Sequence, residues 1–580
     1  MMMHKKVFKN YAVLALLLGV GAEGFAQQGR DTVPDRPVTI DSFDIVRDYR
    51  PILADAVKIR RSPDMTNKRS YMPKLSYGNI PDKKLDINSG LKELKVEETP
   101  FSELQDQRSN YVKFGLGNLG TILGEGYFAY DAYQDMQVGG FVKHLNQKGS
   151  LDGQKFSKQE IGVFGKRVLP SMTLNGTIGY NRYATNFYGI PMATDGLTLV
   201  NPSPTEGQAF NDIYFTGELL SNYDPENDQA VSYSAKLDAY SFSDKFNAKE
   251  TSVALSAYLN KRVNAFNVGA NVSLDFNTVD GTNPALHAGK TKNSVATLNP
   301  YIRFKGDNYA ITLGANLVPE FGDSSSFNIF PSAEVDFALA PEYFHIFGGI
   351  NGGVKKASYR DFARQNPFLG PDLDIQNMVE RIHVFGGIKG NAGATFGYKV
   401  KAIYRKLEGM PLFVNNMDTP YQFAMVYDGN GDKAVKHFGI EGELNVRLSQ
   451  LVNLGGRLNI DQYTAAQEAE VWHTPKLRLA ANARFNISEK LYIDAEALFH
   501  GVAHAKAFDY STTGQVIDPT NFYSKEIPSF FDLSAGAEYK ATKQLGLFVK
   551  ANNIFNNEYQ TYLYYPKLGF NVLGGLNFSF

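Results

Sequence analysis

Cysteine is absent from all 580 residues, which removes any disulfide framework, thiol catalysis, cysteine-ligated zinc, or lipid attachment through a mature N-terminal cysteine. Long apolar runs are absent too. A membrane-spanning helix needs roughly 18 to 20 consecutive apolar residues, and no stretch reaches that before a charge interrupts it, so a helical membrane architecture is excluded. An excess of charge is also missing. The formal net charge of -1 gives no reason to expect nucleic acid as a partner, since a phosphate backbone demands a strongly basic face. What the chain does have is Gly (53), Phe (41) and Tyr (33), with many Asn and Ser. These types suit strands with one apolar and one wet face better than the three or four soluble domains that the length alone suggests.

The first residues read as an export address. His4, Lys5, Lys6 and Lys9 give a positive start, Tyr11 to Ala22 is apolar, and Gly24-Phe25-Ala26 places small residues at the minus-three and minus-one positions of a signal-peptidase site. Residues 1–26 are thus expected to be a signal peptide, cleaved between Ala26 and Gln27. From 27 to 107 the chain is polar, charged and Pro-containing, with no sustained period, and reads as a periplasmic N-terminal arm. Only Ile40 to Val46 alternates there, and Phe43, Ile45, Tyr49 and Tyr71 are its apolar anchors.

From 108 to 580 one alternating run follows another. In Phe266 to Phe276 every even position is apolar and every odd one is polar or Gly; Leu477 to Ile487 and Val231 to Ala239 behave alike. Successive strand side chains point to opposite faces, so one face is apolar and the other carries charge. Many runs last about ten residues or more, the length a tilted strand needs to cross a bilayer, whereas soluble strands average about five or six. This register puts Leu479 on the lipid face and Arg478 on the lumen face, so arginine at 479 is expected to cost far more than leucine at 478.

Connection lengths set the topology. Short turns at Gly306 to Asn308, Pro341 to Glu342, Asn391 to Ala394, Gln450, Ser488 to Lys490 and Ala541 to Lys543 alternate with long polar connections at Phe187 to Phe210, Ser358 to Asn377, Gly409 to Gly431 and Ala505 to Pro528. Short periplasmic turns and long external loops are the asymmetry of an outer-membrane barrel. Eleven hairpins give the fold class: all-β, a transmembrane antiparallel β-barrel of 22 strands, with both termini in the periplasm. The segment Tyr421 to Asp428 is placed inside an external loop, because counting it as a spanning strand breaks parity.

The end of the chain carries the most specific pattern. Phe570, Val572, Leu576, Phe578 and Phe580 alternate up to a terminal aromatic residue, the signal that barrel-assembly machinery reads. Before them, Asn553-Ile554-Phe555-Asn556-Asn557-Glu558-Tyr559 leads through Tyr564, Tyr565, Pro566 and Gly569 into the last strand. This hairpin resembles the final hairpin of TonB-dependent receptors, specifically over about the last 40 residues and architecturally from Tyr111 onward. The resemblance implies an integral outer-membrane location, lipid as surroundings, and solute transport with a periplasmic or energy-coupling partner. The chain departs from that family in lacking the Gly-rich "I-R-G" and "V-L-K-G-P" segments of a plug, and no TonB box is found. A plugless structural or assembly platform in an envelope complex is therefore the alternative. A barrel this wide normally has a filled lumen, and the arm, inward-folded loops or a partner are the candidates.

Other motifs read as decoys. Gly115-Leu116-Gly117-Asn118-Leu119-Gly120 fits a dinucleotide fingerprint, but a strand follows where a helix is required, so a tight first hairpin is expected. His500 and His504, read on one strand, are roughly 13 Å apart and too distant for one metal ion. Asp494 and Glu496 share a face with His500, yet no nucleophile accompanies them. No enzyme activity, cofactor or metal is expected. Lys399, Lys401 and Arg405, with Arg478 and Arg484, are a candidate basic patch on the lumen wall, the bland reading being a solvated wall.

Overall fold

The computed structural model describes residues 110–580, except for 134, 190–205, 223–229, 265, 282–289, 342, 371–373, 394, 418, 432, 450 and 509–520. The expected signal peptide and arm lie outside the described residues. No described helix is long and apolar enough to cross a membrane.

Twenty-two antiparallel strands form one sheet that closes on itself. The first strand, Tyr111–Gly117, pairs with the last, Asn571–Ser579, from Tyr111↔Ser579 to Gly117↔Leu573. Closure leaves no unpaired edge, which a lipid environment requires because it offers no water to the backbone. The register agrees with the alternation. Along Ser326–Ala340 the outward residues Phe327, Ile329, Phe337 and Leu339 are 42% to 64% exposed, while Asn328 and Phe330 between them are buried. Leu479 is exposed and Arg478 buried. Val572, Leu576 and Phe578 face outward on the last strand, and Asn571, Leu573 and Asn577 face inward.

All six short turns join neighbouring barrel strands at one rim, and Phe423–Asp428 is no barrel strand. It pairs with Met410–Asn415 in a separate hairpin, which keeps the number even. The Gly115 to Gly120 motif is the expected hairpin. Leu119 (φ 54°) and Gly120 (φ 59°) hold both central turn positions in the left-handed region, the mirror-image geometry that matches strand twist. At Gly117 a Cβ would meet the Val572 carbonyl oxygen at 2.3 Å, so the absent side chain lets the closing strand approach.

Two details differ from the sequence reading. The connection after Asn186 ends sooner than Phe210, since the next strand starts at Gly207. His500 and His504 do not share a strand: His500 ends Leu491–His500, and after Gly501-Val502 His504 belongs to the hairpin Ala503–Phe508/Phe522–Ile527. His500 stacks on Phe530 at 4.9 Å, and His504 Nδ1 sits 2.8 Å from Glu470.

Candidate functional site

The long connections were expected to be polar loops. They fold inward, as one of the candidates for filling the lumen required, and their apolar residues build a hydrophobic core across the mouth of the barrel. Four of them meet there: Phe187 and Tyr188 after the fifth strand, residues 356–377 after the thirteenth, the Met410–Asn415/Phe423–Asp428 hairpin after the fifteenth, and the Gln560–Tyr562/Tyr565–Pro566 hairpin before the last. The fifth and fifteenth strands stand ten places apart in a ring of 22, nearly opposite, yet the Phe187 and Tyr421 rings are 5.9 Å apart. Phe423 packs on Tyr562 at 5.5 Å, Tyr188 meets Tyr565 edge-on at 5.0 Å, and Phe368 stacks on Tyr565 at 3.5 Å. Phe187, Tyr359, Leu369 and Phe423 are wholly buried.

Polar groups fasten this lid to the strands. A short helix, α1 (Tyr359–Gln365), starts at Ser358, whose side chain accepts from the Asp361 N–H, and stops at Asn366, ahead of Pro367. It buries Tyr359, Phe362 and Ala363 in the aromatic core. Beneath its first turn lies Glu250, wholly buried, whose carboxylate accepts from Tyr359 N–H (3.2 Å), Arg360 N–H (2.8 Å), Ser358 Oγ (3.1 Å) and Asn277 Nδ2 (2.9 Å). The carboxylate thus supplies acceptors for first-turn N–H donors that a helix leaves unsatisfied. The Tyr359 hydroxyl donates to Asp244 at 2.7 Å, Arg364 pairs with Asp212 at 2.7 Å, and the Arg360 guanidinium lies 3.3 Å from the centre of the Tyr240 ring. Loops also tie to one another: Tyr562 donates to the Gln365 carbonyl at 2.8 Å and Tyr565 to the Tyr421 carbonyl.

A second core beside the first holds Trp472 with Leu407, Met410, Leu412, Val414 and Val435. Next to it, His473 joins three connections. Its Nδ1 donates to the Phe413 carbonyl at 3.0 Å, its Nε2 accepts from the Leu563 N–H at 3.4 Å, and its ring packs against both Phe423 and Tyr562. Burial holds this imidazole down at about 4, so it stays neutral. Asp428, also wholly buried, accepts from the N–H groups of Ala466 (2.9 Å) and Gln467 (2.7 Å) and fixes the next connection.

Below the lid, the expected cations stand on one sector of the lumen wall. Lys399, Lys401 and Arg405 share the inner face of Phe396–Glu408, and Arg478 and Arg484 that of Leu477–Asn486, three barrel strands further on. Four of the five have carboxylates: Lys401 pairs with Glu441 (2.9 Å), Arg405 with Glu380 (3.3 Å), Arg478 with Asp461 (2.9 Å) and Arg484 with Asp494 (2.7 Å). Asp461 also binds His437 Nε2 at 2.8 Å. Arg478 is therefore one half of a buried ion pair. Its replacement by leucine strands Asp461 beside His437, so the expectation of a small cost at 478 is corrected. Asp494, noted earlier beside Glu496 and His500, serves as the partner of Arg484. No group of three or more His, Cys, Asp or Glu suited to a metal occurs among the described residues.

The lid residues escaped the sequence reading. Their signal was the short alternation within "loops", Met410-Pro411-Leu412-Phe413-Val414 and Phe423-Ala424-Met425-Val426-Tyr427, too short for spanning strands but right for a buried hairpin.

No family model and no curated protein matches this chain. Solved structures do match it. The ferripyoverdine receptor of the outer membrane of Pseudomonas aeruginosa, bound to ferripyoverdine, aligns with a TM-score of 0.60 at 13% identity, over 81% of this chain and 71% of that one. The FrpB iron transporter from Neisseria meningitidis (F5-1 variant) aligns with a TM-score of 0.60 at 10% identity, over 82% of both chains. A mutant of the ferric enterobactin receptor from P. aeruginosa aligns at 0.57 and 12% identity, over 81% of this chain and 80% of that one. These neighbours are receptors and transporters, and at such identities the likeness is one of fold. The chain has the fold of outer-membrane receptors: a closed, 22-stranded antiparallel β-barrel of the kind that the resemblance of its last hairpin to TonB-dependent receptors implied.

Proposed function

We propose that this protein is a closed outer-membrane barrel that acts as a structural or assembly platform in an envelope complex, and not as an open path for solutes. The observation that carries this reading is the lid, whose core joins opposite walls across the mouth. Swinging out the 410–428 hairpin exposes Leu412, Phe413, Val414, Phe423 and Met425, all buried. At roughly 1.5 to 3 kcal/mol per side chain the cost is on the order of 10 kcal/mol, so thermal fluctuation leaves the lid shut. The arm 27–107, on the periplasmic side after export and removal of residues 1–26, is the segment best placed to dock partners.

Solute transport is the second reading. It is favoured by the shared fold with receptors whose names include iron complexes, and it requires an energised partner to displace the lid. Two measurements separate the readings. The platform predicts a full-length chain silent in planar bilayers and stoichiometric envelope proteins copurifying from native membranes. A wide-pore conductance of the intact chain, or loss of uptake of a defined solute with no partner retained, refutes it.

A further inference from the structure

The apolar band on the outside of the barrel is not level. On Ser326–Ala340 it reaches the long-loop rim, where Phe327 and Ile329 stand exposed. On Met136–Lys148, Lys155–Val168 and Met172–Asn186 it stops lower. Its last row there is Val142↔Ile161↔Tyr180↔Ile213, in which Val142, Ile161 and Ile213 are exposed and the Tyr180 hydroxyl is 2.8 Å from Asn211 Oδ1. A tyrosine at that edge stands where aromatic girdles mark the headgroup level. Alternation puts three further rows on the same outer face: His144↔Gln159↔Arg182↔Asn211, then Asn146↔Ser157↔Ala184, then Lys148↔Lys155. They hold Lys148, Lys155 and Arg182 and no carboxylate. The two lysines are exposed and face each other directly, and like charges so placed repel. Among the described residues no carboxylate lies within 4.0 Å of either ammonium. Lys290, exposed at the same rim, has Asp280 at 3.5 Å instead. Arg182 donates to Gln159 Oε1 at 3.4 Å, and Gln159 lies roughly 13 Å along its strand from Lys155.

We propose that this outer patch is a binding site for a lipid headgroup that carries two phosphates, the Lys148/Lys155 pair taking one and Arg182 the other. The site goes beyond the platform reading, since it lies on the outer wall and is the same whether the lid is open or shut. A phosphate between the two lysines replaces their repulsion with charge-assisted hydrogen bonds. The distance down to Arg182 leaves room for a second phosphate on the same headgroup, and Asn146 and Ser157, between the two centres, offer donors to the part that joins them. The occupant is a lipid and not a free anion because of what lies directly below. Acyl chains attached to such a headgroup continue onto the exposed row of Val142, Ile161 and Ile213, whereas a free phosphate gains nothing from it. Basic clusters at the membrane surface recognise anionic headgroups in this way.

The test uses the full-length chain in a nonionic detergent and native mass spectrometry of its adducts with a bisphosphorylated disaccharide lipid and with the monophosphorylated form, inorganic phosphate serving as competitor. Lys148→Gln combined with Lys155→Gln is compared with Lys406→Gln combined with Lys436→Gln. The latter is a second directly opposed pair on the outer face, whose row continues into Ile382 and Thr464 with no third cation. The native chain should bind the bisphosphorylated lipid about tenfold more tightly than the other form, and the first double variant should lose about tenfold while the second loses little. Arg182→Gln should abolish the preference between the two lipids. Lys148→Arg combined with Lys155→Arg should keep binding, which tells loss of charge from a fault in folding. Equal affinity for the two lipids, equal loss in the two glutamine doubles, or displacement of the lipid by millimolar inorganic phosphate overturns the proposal.

Discussion

His473 makes the stability of the lid depend on pH in a way that can be calculated. Its imidazole has an ordinary value of 6.5 when the chain is unfolded and is held at about 4 in the lid. The unfolded state therefore binds the proton more readily, and stability rises with pH across this window. The contribution is fully present above pH 6.5, falls by about 2 kcal/mol at pH 5 and by about 3 kcal/mol at pH 4, and changes little below that. The main cause is burial, and a second ring proton on Nε2 would also point at the Leu563 N–H, donor against donor. A built-in probe sits next door. Trp472 is the only tryptophan in the chain and is 1% exposed, so its emission reports the core that joins the lid to the barrel wall. Urea titrations of the full chain in detergent, followed by this emission at pH 7 and pH 5, should show the transition shift to lower urea at pH 5. In His473→Gln the shift should shrink by about 2 kcal/mol. If the variant keeps the wild-type pH response, or the wild type shows none, the latch assigned to His473 is wrong.

Leu479→Arg places a charge on the lipid face and should lower folding stability in vesicles by roughly 2 to 4 kcal/mol near the midplane, while Arg478→Leu should cost a similar roughly 3 to 5 kcal/mol by orphaning Asp461; refolding titrations that find the second change neutral contradict the buried pair. Glu250→Ala removes the acceptor of four hydrogen bonds and should loosen the lid by about 2 to 4 kcal/mol, seen as faster proteolysis within 356–377 while the barrel stays intact. N-terminal sequencing of membrane-extracted protein should begin at Gln27, and a start at Met1 removes the export argument.

Period-two alternation is a local property, because a strand side chain's face depends only on its position along the strand. For that reason the faces of Val268, Leu479 and Phe578, the even strand number and the short-turn rim could all be read from the sequence. Partner choice is not local. Arg478 and Asp461 are matched by the pairing of two strands across an intervening connection, and nothing in either strand alone says that this pair is buried while Lys399 is left without a carboxylate. The lid is further still from local rules. Phe187, Tyr421 and Tyr565 belong to connections that read as polar loops, and they become a core only because a closed ring of 22 strands brings the ends of distant hairpins over one opening. A barrel with a wet inside and a greasy outside follows from which residues alternate. Whether the barrel is open or shut was decided by the tertiary structure, since burial of those aromatic rings requires walls that are adjacent only after closure.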